Sequence, residues 1–545
     1  MLAKKEKVME CDVLVIGGGG AGLRAAIAAA DQGVDVLMVS KARIGHATNT
    51  YLSKAIVASS GWGDAGDNSD VHSNDTLAGG RYLNNPDMVS RFTGAIRSET
   101  ELLQKWGVEF NTDETGKPAV FRIPGHTHAR HIAGRNWKGS DLIFPMKRKA
   151  VDSGVRFLEK IAVSKLVVSG NRVCGATAVS EDGIFTAIEA KSVILATGGY
   201  ARVFLNTNNA PGITGDGHAL AFDVGAAMQD MEFVQYYPTA LGKRGNRILL
   251  YDRLLAQEGV ILKNSRGEDI LKKNGYNVPS NITRDLLAQV IMKEIINDTE
   301  NSAGISMDLE GLAPEAAKEL SMLLPSGWQQ GIRVFQITPT AHFCMGGVVV
   351  DASGETSCQA LFAAGEVTAG AHGANRLGGN ALAEVIAMGS LVGKAAANKA
   401  RSLVRAQGFA PAVQKERERL EALFEEQGPR LRAGELIQEL KQAMWFNAGI
   451  VRDRQSLEKA LEVVTGQKDY KVLVETPSDL VRLLELRNMR LVGEMVCRAA
   501  IERTESRGSH FRSDFPREND DAWRKNIQIK KTDSGMALEA TEYIM

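Results

Sequence analysis

The feature that most constrains this chain is a glycine cluster set between two short apolar runs near its start. Asp12 to Ile16 reads DVLVI, a buried parallel strand by its unbroken apolar character. Gly17-Gly18-Gly19-Gly20-Ala21-Gly22 follows at once and satisfies G-x-G-x-x-G. An alanine-rich helix from Leu23 to Gln32 and a second apolar strand from Val34 to Val39 complete a βαβ unit. In such a unit Gly17 permits the strand-to-helix turn, Gly19 lets a pyrophosphate approach the backbone, and Gly22 lets helix and strand pack. The positive end of the helix then faces the phosphates. The pattern predicts a nucleotide site. The acidic residue that would end the second strand of an NAD(P) site is absent, and Ser40-Lys41 stand there instead.

Two further strand-and-glycine elements, Ser192 to Gly199 (SVILATGG) and Ala360 to Glu366 (ALFAAGE), lie far along the chain. Three such elements at wide separation predict one nucleotide-binding domain assembled from discontinuous segments, with the intervening chain placed over the cofactor. Glu366, at a strand end, is positioned to accept hydrogen bonds from a ribose. Lys415 to Leu461 is rich in Glu, Leu, Arg and Ala, with apolar residues at helical spacing.

Composition mainly excludes. Lys+Arg and Asp+Glu both count 65 among 545 residues, so no charge excess argues for nucleic acid or an acidic membrane surface. No run approaches the ~18 consecutive apolar residues of a membrane span. The charged first ten residues hold no signal-peptide core, so a cytoplasmic place is expected. Cys11, Cys174, Cys344, Cys358 and Cys497 are scattered without a C-x-x-C pair. Neither a disulfide framework nor a metal or iron–sulfur site is expected on this chain.

Further motifs follow in order: Ala196-Thr197-Gly198-Gly199, Thr214-Gly215-Asp216-Gly217, Gln235-Tyr236-Tyr237-Pro238-Thr239, Ala341-His342-Phe343, Gly365-Glu366, Asn375-Arg376-Leu377-Gly378-Gly379-Asn380-Ala381-Leu382 and Glu505-Ser506-Arg507-Gly508-Ser509-His510. With these the chain resembles, nearly end to end, the flavoprotein subunits of fumarate reductase and succinate dehydrogenase. L-aspartate oxidase and the adenylylsulfate reductase α subunit are further relatives. The resemblance implies an α/β architecture with a Rossmann-like FAD-binding domain in residues 1–239 and 346–408. It adds an inserted α+β capping domain in 240–345 and a C-terminal helical domain in 409–545. FAD contacts are implied at Gly17, Gly19, Gly22, Ser40, Lys41, Thr48, Ala196, Thr197, Gly198, Asp216, Gly365, Glu366, Arg376, Asn380 and Leu382. In many relatives a histidine after the second strand carries the FAD covalently. Here Thr48 takes that place, His46 lies two residues earlier, and the usual Gly-Gly reads Lys54-Ala55. Non-covalent FAD is therefore expected.

The family's reaction moves a hydride between flavin and one carbon of a C=C bond, and a proton to the neighbouring carbon. It needs cationic or hydrogen-bonding groups on the substrate carboxylates and a positioned acid. His342 and Arg376 match two carboxylate-binding positions, and the arginine's planar fork suits that task. Other positions depart. Tyr237 replaces the second substrate histidine. Aligned on the family's Thr-Glu-Gly-x-Arg segment, Asp252 falls at a carboxylate-binding threonine, Arg253 at an acidic relay member and Ala256 at the proton-donating arginine. An aspartate repels a carboxylate, and an alanine delivers no proton. The expectation is an FAD-dependent oxidoreductase subunit with an altered site (His342, Arg376, Tyr237, Asp252 and Arg253), acting on a carboxylate or other anionic substrate. Arg253 is the candidate substitute donor. A separate iron–sulfur electron-transfer subunit is the implied partner, through which any membrane attachment would run. The alternatives are an electron-relay subunit without its own substrate, unmodified fumarate–succinate chemistry, and a stand-alone oxidase using O₂.

Overall fold

The computed structural model describes residues 2, 6–242, 248–250, 252–276, 282–297, 305–321, 323–425, 430–466 and 471–542. Strand Lys7–Ile16, helix Gly20–Ala30 and strand Val36–Ser40 form the βαβ unit where the glycines mark it. Lys7–Ile16 lies between Val36–Ser40 and Phe185–Leu195, all parallel, with Arg156–Glu159 beyond Val36–Ser40. On its other edge Phe185–Leu195 serves two neighbours: its first half pairs antiparallel with Arg172–Ser180, and its last three residues pair parallel with Leu361–Ala363. The three strand-and-glycine elements thus share one sheet.

Close approach explains the glycines. Gly17 has φ +124°, and a Cβ there would stand 2.1 Å from the Ala196 carbonyl oxygen on the neighbouring strand's exit. Helices Gly20–Ala30 and Asn380–Ser402 cross at Gly389 and Gly393, where a Cβ would stand 2.9 and 2.2 Å from the carbonyl oxygens of Ala21 and Ala25. That crossing brings both helix N-termini to the same end of the sheet.

The segment between the two sheet-forming parts has its own core, with Leu250, Leu254, Leu262, Ile291, Met307 and Ile337 buried together, separate from the main core. It is organised on an antiparallel sheet of Val234–Leu241, Val334–Cys344, Ile305–Asp308 and Ile261–Lys263. Val234–Leu241 and Val334–Cys344 enter and leave this unit side by side, which sets Tyr237 and His342 on adjacent strands. Helix Arg284–Asn297 lies against both strands.

Helices Ala433–Asn447, Arg454–Thr465 and Pro477–Glu502 join the main core. The C-terminal region is not helical throughout. It ends in a hairpin, Lys525–Thr532 with Gly535–Glu542, which extends a sheet through Met228–Gln229. Ile527 and Ile529 are buried with Gln528 between them less so, the period-2 pattern of a strand. A buried ionic cluster ties this end to the rest: Arg503 meets Glu232 at 2.6 Å and Glu505 at 3.2 Å, every one of these side chains fully buried. Among the described residues no helix is long and apolar enough to cross a membrane.

Candidate active site

A cavity of about 530 Å³ opens at the carboxyl ends of the parallel strands, where Ile16, Ser40, Ala196 and Ala364 line it. That is within the ~300–1,000 Å³ range of ligand pockets and at the place where open α/β sheets bind ligands. The lining has two origins. The sheet and its turns supply Gly17, Gly19, Ser40, Lys41, Thr48, Ala196, Thr197, Gly198, Asp216, Glu366 and Leu382; the second unit and the 376 loop supply Tyr237, Arg284, His342, Phe343 and Arg376.

The first group suits a dinucleotide. A side chain at Gly19 would have its nearest neighbour 3.9 Å away and would fill the cradle. Helices Gly20–Ala30 and Asn380–Ser402 start at glycines without a side-chain cap, so their positive ends face the cavity. Thr197 Oγ1 and Arg376 Nε are buried in the lining without a hydrogen-bond partner among the described residues. Buried polar atoms of that kind are complete only with a ligand or water.

Lys41 is fixed by Asp216 at 2.7 Å, Glu485 at 2.7 Å and Thr214 Oγ1 at 2.8 Å. Burial works against its charge, but the two carboxylates outweigh burial and hold it above the usual lysine range. Asp216 is pushed up by burial, yet Lys41 and a 3.0 Å bond from Asn488 bring it below the usual range. Glu366, in the lining, is already oriented by hydrogen bonds to both of its oxygens. Its Oε1 accepts from Cys344 N at 3.1 Å and its Oε2 from Asn49 Nδ2 at 3.1 Å, and burial raises its carboxyl.

Three expected cofactor contacts lie outside the lining. A Cβ on Gly22 would meet the Gly17 carbonyl oxygen at 2.1 Å, so this glycine serves packing of helix on strand. Gly365, at φ +81°, makes the turn after Leu361–Ala363 and gives its N–H to Glu384. The Asn380 side chain points into the protein, to His72 at 2.8 Å and Thr76 at 2.9 Å, because the helix it begins turns that face to helix Ser69–Gly79. His46 also lies outside the lining, packed on the rings of Tyr51 (5.5 Å) and Phe144 (5.2 Å). Thr48 Oγ1 caps helix Asn49–Leu52 by accepting from Tyr51 N at 3.2 Å.

In the second group Arg376 donates to Gln235 Oε1 at 2.8 Å and to the Leu377 carbonyl at 3.0 Å, over the Phe343 ring at 4.7 Å. Burial, then the Arg284 charge, push it down to about 9, against the pull of Glu366. His342 stands edge-on to Tyr237 with ring centroids 5.7 Å apart. Burial first, then Arg376 and Arg284, hold its imidazole far below the usual range, so it is neutral. Tyr237 is buried, with its hydroxyl 3.5 Å from the Leu250 carbonyl, and its ring lies 5.0 Å from the Arg284 guanidinium.

Arg284 is the residue that the motifs did not point to. Its signal in the sequence is a cation at the start of an apolar-patterned helix, where the helix dipole disfavours positive charge. Its presence brings into the cavity an arginine that Ala256, at the aligned position, does not supply. Ala256 is exposed on the turn after Asp252–Leu255 and does not line the cavity, so its side chain is not the one that matters there. The side chains of Asp252 and Arg253 lie outside the described residues.

Fold and site together define a dinucleotide-binding protein with a compartment lined by Arg376, Arg284 and His342 beside the cofactor cradle. Comparison with known proteins agrees. Residues 12–382 match the FAD binding domain model and 437–545 the fumarate reductase flavoprotein C-terminal model. One subunit of the fumarate reductase (CoM/CoB) from Methanothermobacter marburgensis is 34% identical over 544 residues, spanning 97% of this chain and 98% of that protein. Among solved structures, Sdh1 of Mycobacterium smegmatis in complex with UQ1 superposes with TM-score 0.90 at 29% identity, covering 99% of this chain and 95% of that one. A quinol-fumarate reductase with menaquinol molecules gives TM-score 0.89 at 27% identity and 99% coverage of both chains. The chain belongs to the fumarate reductase/succinate dehydrogenase flavoprotein family, whose members are FAD-dependent oxidoreductases.

Proposed function

We propose that this chain holds FAD non-covalently, binds a small dicarboxylate beside it through Arg376 and His342, and exchanges electrons with a separate iron–sulfur subunit. The observation that carries the reading is the meeting of two guanidinium groups and a neutral imidazole in the cavity that also contains the glycine cradle. Gly17, Gly19, Ser40, Lys41, Ala196, Thr197, Gly198, Asp216, Glu366 and Leu382 are the residues to hold the cofactor. Bound FAD supplies the exchange of two electrons with a substrate carbon.

The protein's own groups do the rest. Arg376 offers its fork to one substrate carboxylate, already oriented by Gln235 and the Leu377 carbonyl. His342 adds a neutral hydrogen-bonding nitrogen without a competing charge. Arg284, anchored on the Tyr237 ring, supplies positive charge where the C=C bond is polarised and is the candidate proton source. Tyr237 acts as a shelf for Arg284. With an arginine present, fumarate becomes the first substrate to test.

Reduced flavin is mixed anaerobically with fumarate, with succinate as the blank. Rapid reoxidation is expected. A flavin that stays reduced would sink the dicarboxylate reading in favour of an electron-relay role. Acid precipitation of the holoprotein tests the cofactor's attachment: the flavin is expected in the supernatant, and flavin retained in the pellet would overturn non-covalent binding.

A further inference from the structure

Three asparagines connect Glu366 to the ring of His342, and backbone anchors fix which way the amides of Asn49 and Asn209 face. The Ala210 N–H can only donate, so Asn49 Oδ1, 3.0 Å away, is the acceptor. Asn49 Nδ2 is then the end that meets Glu366 Oε2 at 3.1 Å and Asn209 Oδ1 at 2.6 Å. Asn209 is oriented independently from its other end. Its Nδ2 faces the carbonyl oxygens of His342 at 2.9 Å and Ala341 at 3.4 Å, which can only accept. The same NH₂ reaches Asn208 Oδ1 at 3.3 Å. Asn208 Nδ2 stands 3.0 Å from His342 Nδ1, nearer than Oδ1 at 3.3 Å, and Oδ1 is the end that Asn209 holds, so the NH₂ is the group presented to the ring. An amide NH₂ donates and cannot accept, so Nδ1 carries the lone pair.

We propose that Asn208, oriented by Asn49 and Asn209, is a positioning residue that fixes His342 as the Nε2–H tautomer, so the imidazole meets substrate as a hydrogen-bond donor. The inference rests on the reading of His342 as a substrate contact. A neutral ring that donates through Nε2 stabilises negative charge building on a substrate oxygen. It takes no part as a base, and the proton for carbon must come from another group. The charged and titratable groups facing the ring agree with this assignment: Arg376 and Arg284 oppose an imidazolium, and Tyr237 meets the ring edge-on. Glu366 lies at the far end of the relay, and its other oxygen accepts from Cys344 N, two residues beyond His342. Cofactor wall and substrate ligand are therefore one hydrogen-bonded unit.

The test is nitrogen NMR of the holoprotein labelled with ¹⁵N-histidine, the His342 signals being assigned by their loss in His342→Gln. The expected wild-type spectrum shows a protonated Nε2 and an unprotonated Nδ1 that do not titrate from weakly acidic to weakly alkaline pH. A protonated Nδ1 in the wild type would overturn the proposal, and this arm needs no other variant to fold. Asn208→Asp puts acceptor-only oxygens against Nδ1; the proton is expected to move to Nδ1 or the ring to become charged, with a new titration. Loss of a hydrogen bond to a charged ligand is expected to lower kcat/KM for fumarate roughly 10- to 100-fold. An unchanged His342 signal in Asn208→Asp would also refute the relay. If the wild-type tautomer is as expected and fumarate does not reoxidise the flavin, the relay stands and the substrate reading alone has failed.

Discussion

Replacing Arg284 with alanine separates catalysis from substrate binding in this cavity. If Arg284 supplies the proton, its loss removes a positioned acid, typically ~10²–10⁴ in rate. At about 1.4 kcal/mol per factor of ten, the barrier rises by roughly 3–5 kcal/mol. A second signature comes from its neighbours. After burial, Arg284 is the main cause that pushes Arg376 down to about 9, and with Arg376 it lowers His342. Arg376 binds an anion only as the cation, so in the wild type that binding weakens as pH rises through about 9. In Arg284→Ala the guanidinium of Arg376 moves back up, and the alkaline loss of binding shifts to higher pH. The two effects run in opposite directions, which general damage to the fold would not produce. The assay is anaerobic single turnover of reduced flavin at saturating fumarate, with a pH series of KM beside it. Reoxidation at the wild-type rate would refute the assignment, and Arg253 would become the next donor to replace. A raised KM with kcat unchanged would instead make Arg284 a carboxylate clamp.

Other expectations follow from single sites. Gly17→Ala sets a Cβ 2.1 Å from the Ala196 carbonyl oxygen at φ +124°, so purified protein is expected to carry far less flavin per chain; a full complement would refute the cradle. Arg503→Leu leaves Glu232 buried without its cation, while Glu505 keeps Arg507, and is expected to cost ~3–5 kcal/mol, seen as a lower Tm of the holoprotein. A loss under about 1 kcal/mol would mean that the cluster relaxes or hydrates. Burial, then Glu232, raise the Asp230 carboxyl to about 7 despite Arg503. A raised carboxyl favours the folded state fully below the unfolded carboxyl range, and that stability is lost as pH rises through about 7. The Tm of Asp230→Asn is therefore expected to fall less than that of the wild type from weakly acidic to weakly alkaline pH; parallel curves would refute the shift.

The dinucleotide half of the site was legible because its demands are local. A turn at φ +124° and a backbone approach that excludes a Cβ call for glycine at one position, and the flanking strands state the context. His342 and Arg376 were legible through short motifs on one strand and one loop. Arg284 was not, because nothing local links it to Tyr237; the two meet when helix Arg284–Asn297 packs on strand Val234–Leu241. Aligning the donor on one segment places it at position 256, whereas the arginine that lines the cavity beside Tyr237, Arg284, comes from another element. The C-terminal hairpin was hidden for a different reason. The resemblance implies a helical domain across 409–545, which the composition of Lys415 to Leu461 fits, but the terminus has residues that alternate as a strand. Asn49, Asn208 and Asn209 look like ordinary loop asparagines until Glu366 and His342 are placed at either end of them.

The C-terminal helix shows why the cofactor compartment is not a property of the βαβ fold alone. Glu485 and Asn488 stand three residues apart on helix Pro477–Glu502 and therefore share a face. From that face Glu485 meets Lys41, just beyond the second strand of the βαβ unit, and Asn488 meets Asp216, the first residue of helix Asp216–Asp223. Lys41 is thereby held between one carboxylate from the dinucleotide fold and one from the C-terminal region. Burial alone would lower a lysine, and the two carboxylates together keep this one charged at the cavity wall. Undocking helix Pro477–Glu502 would take away one of those carboxylates and the amide that stabilises Asp216. Retention of the cofactor and docking of the C-terminal helix therefore share a free energy, and weakening either weakens the other.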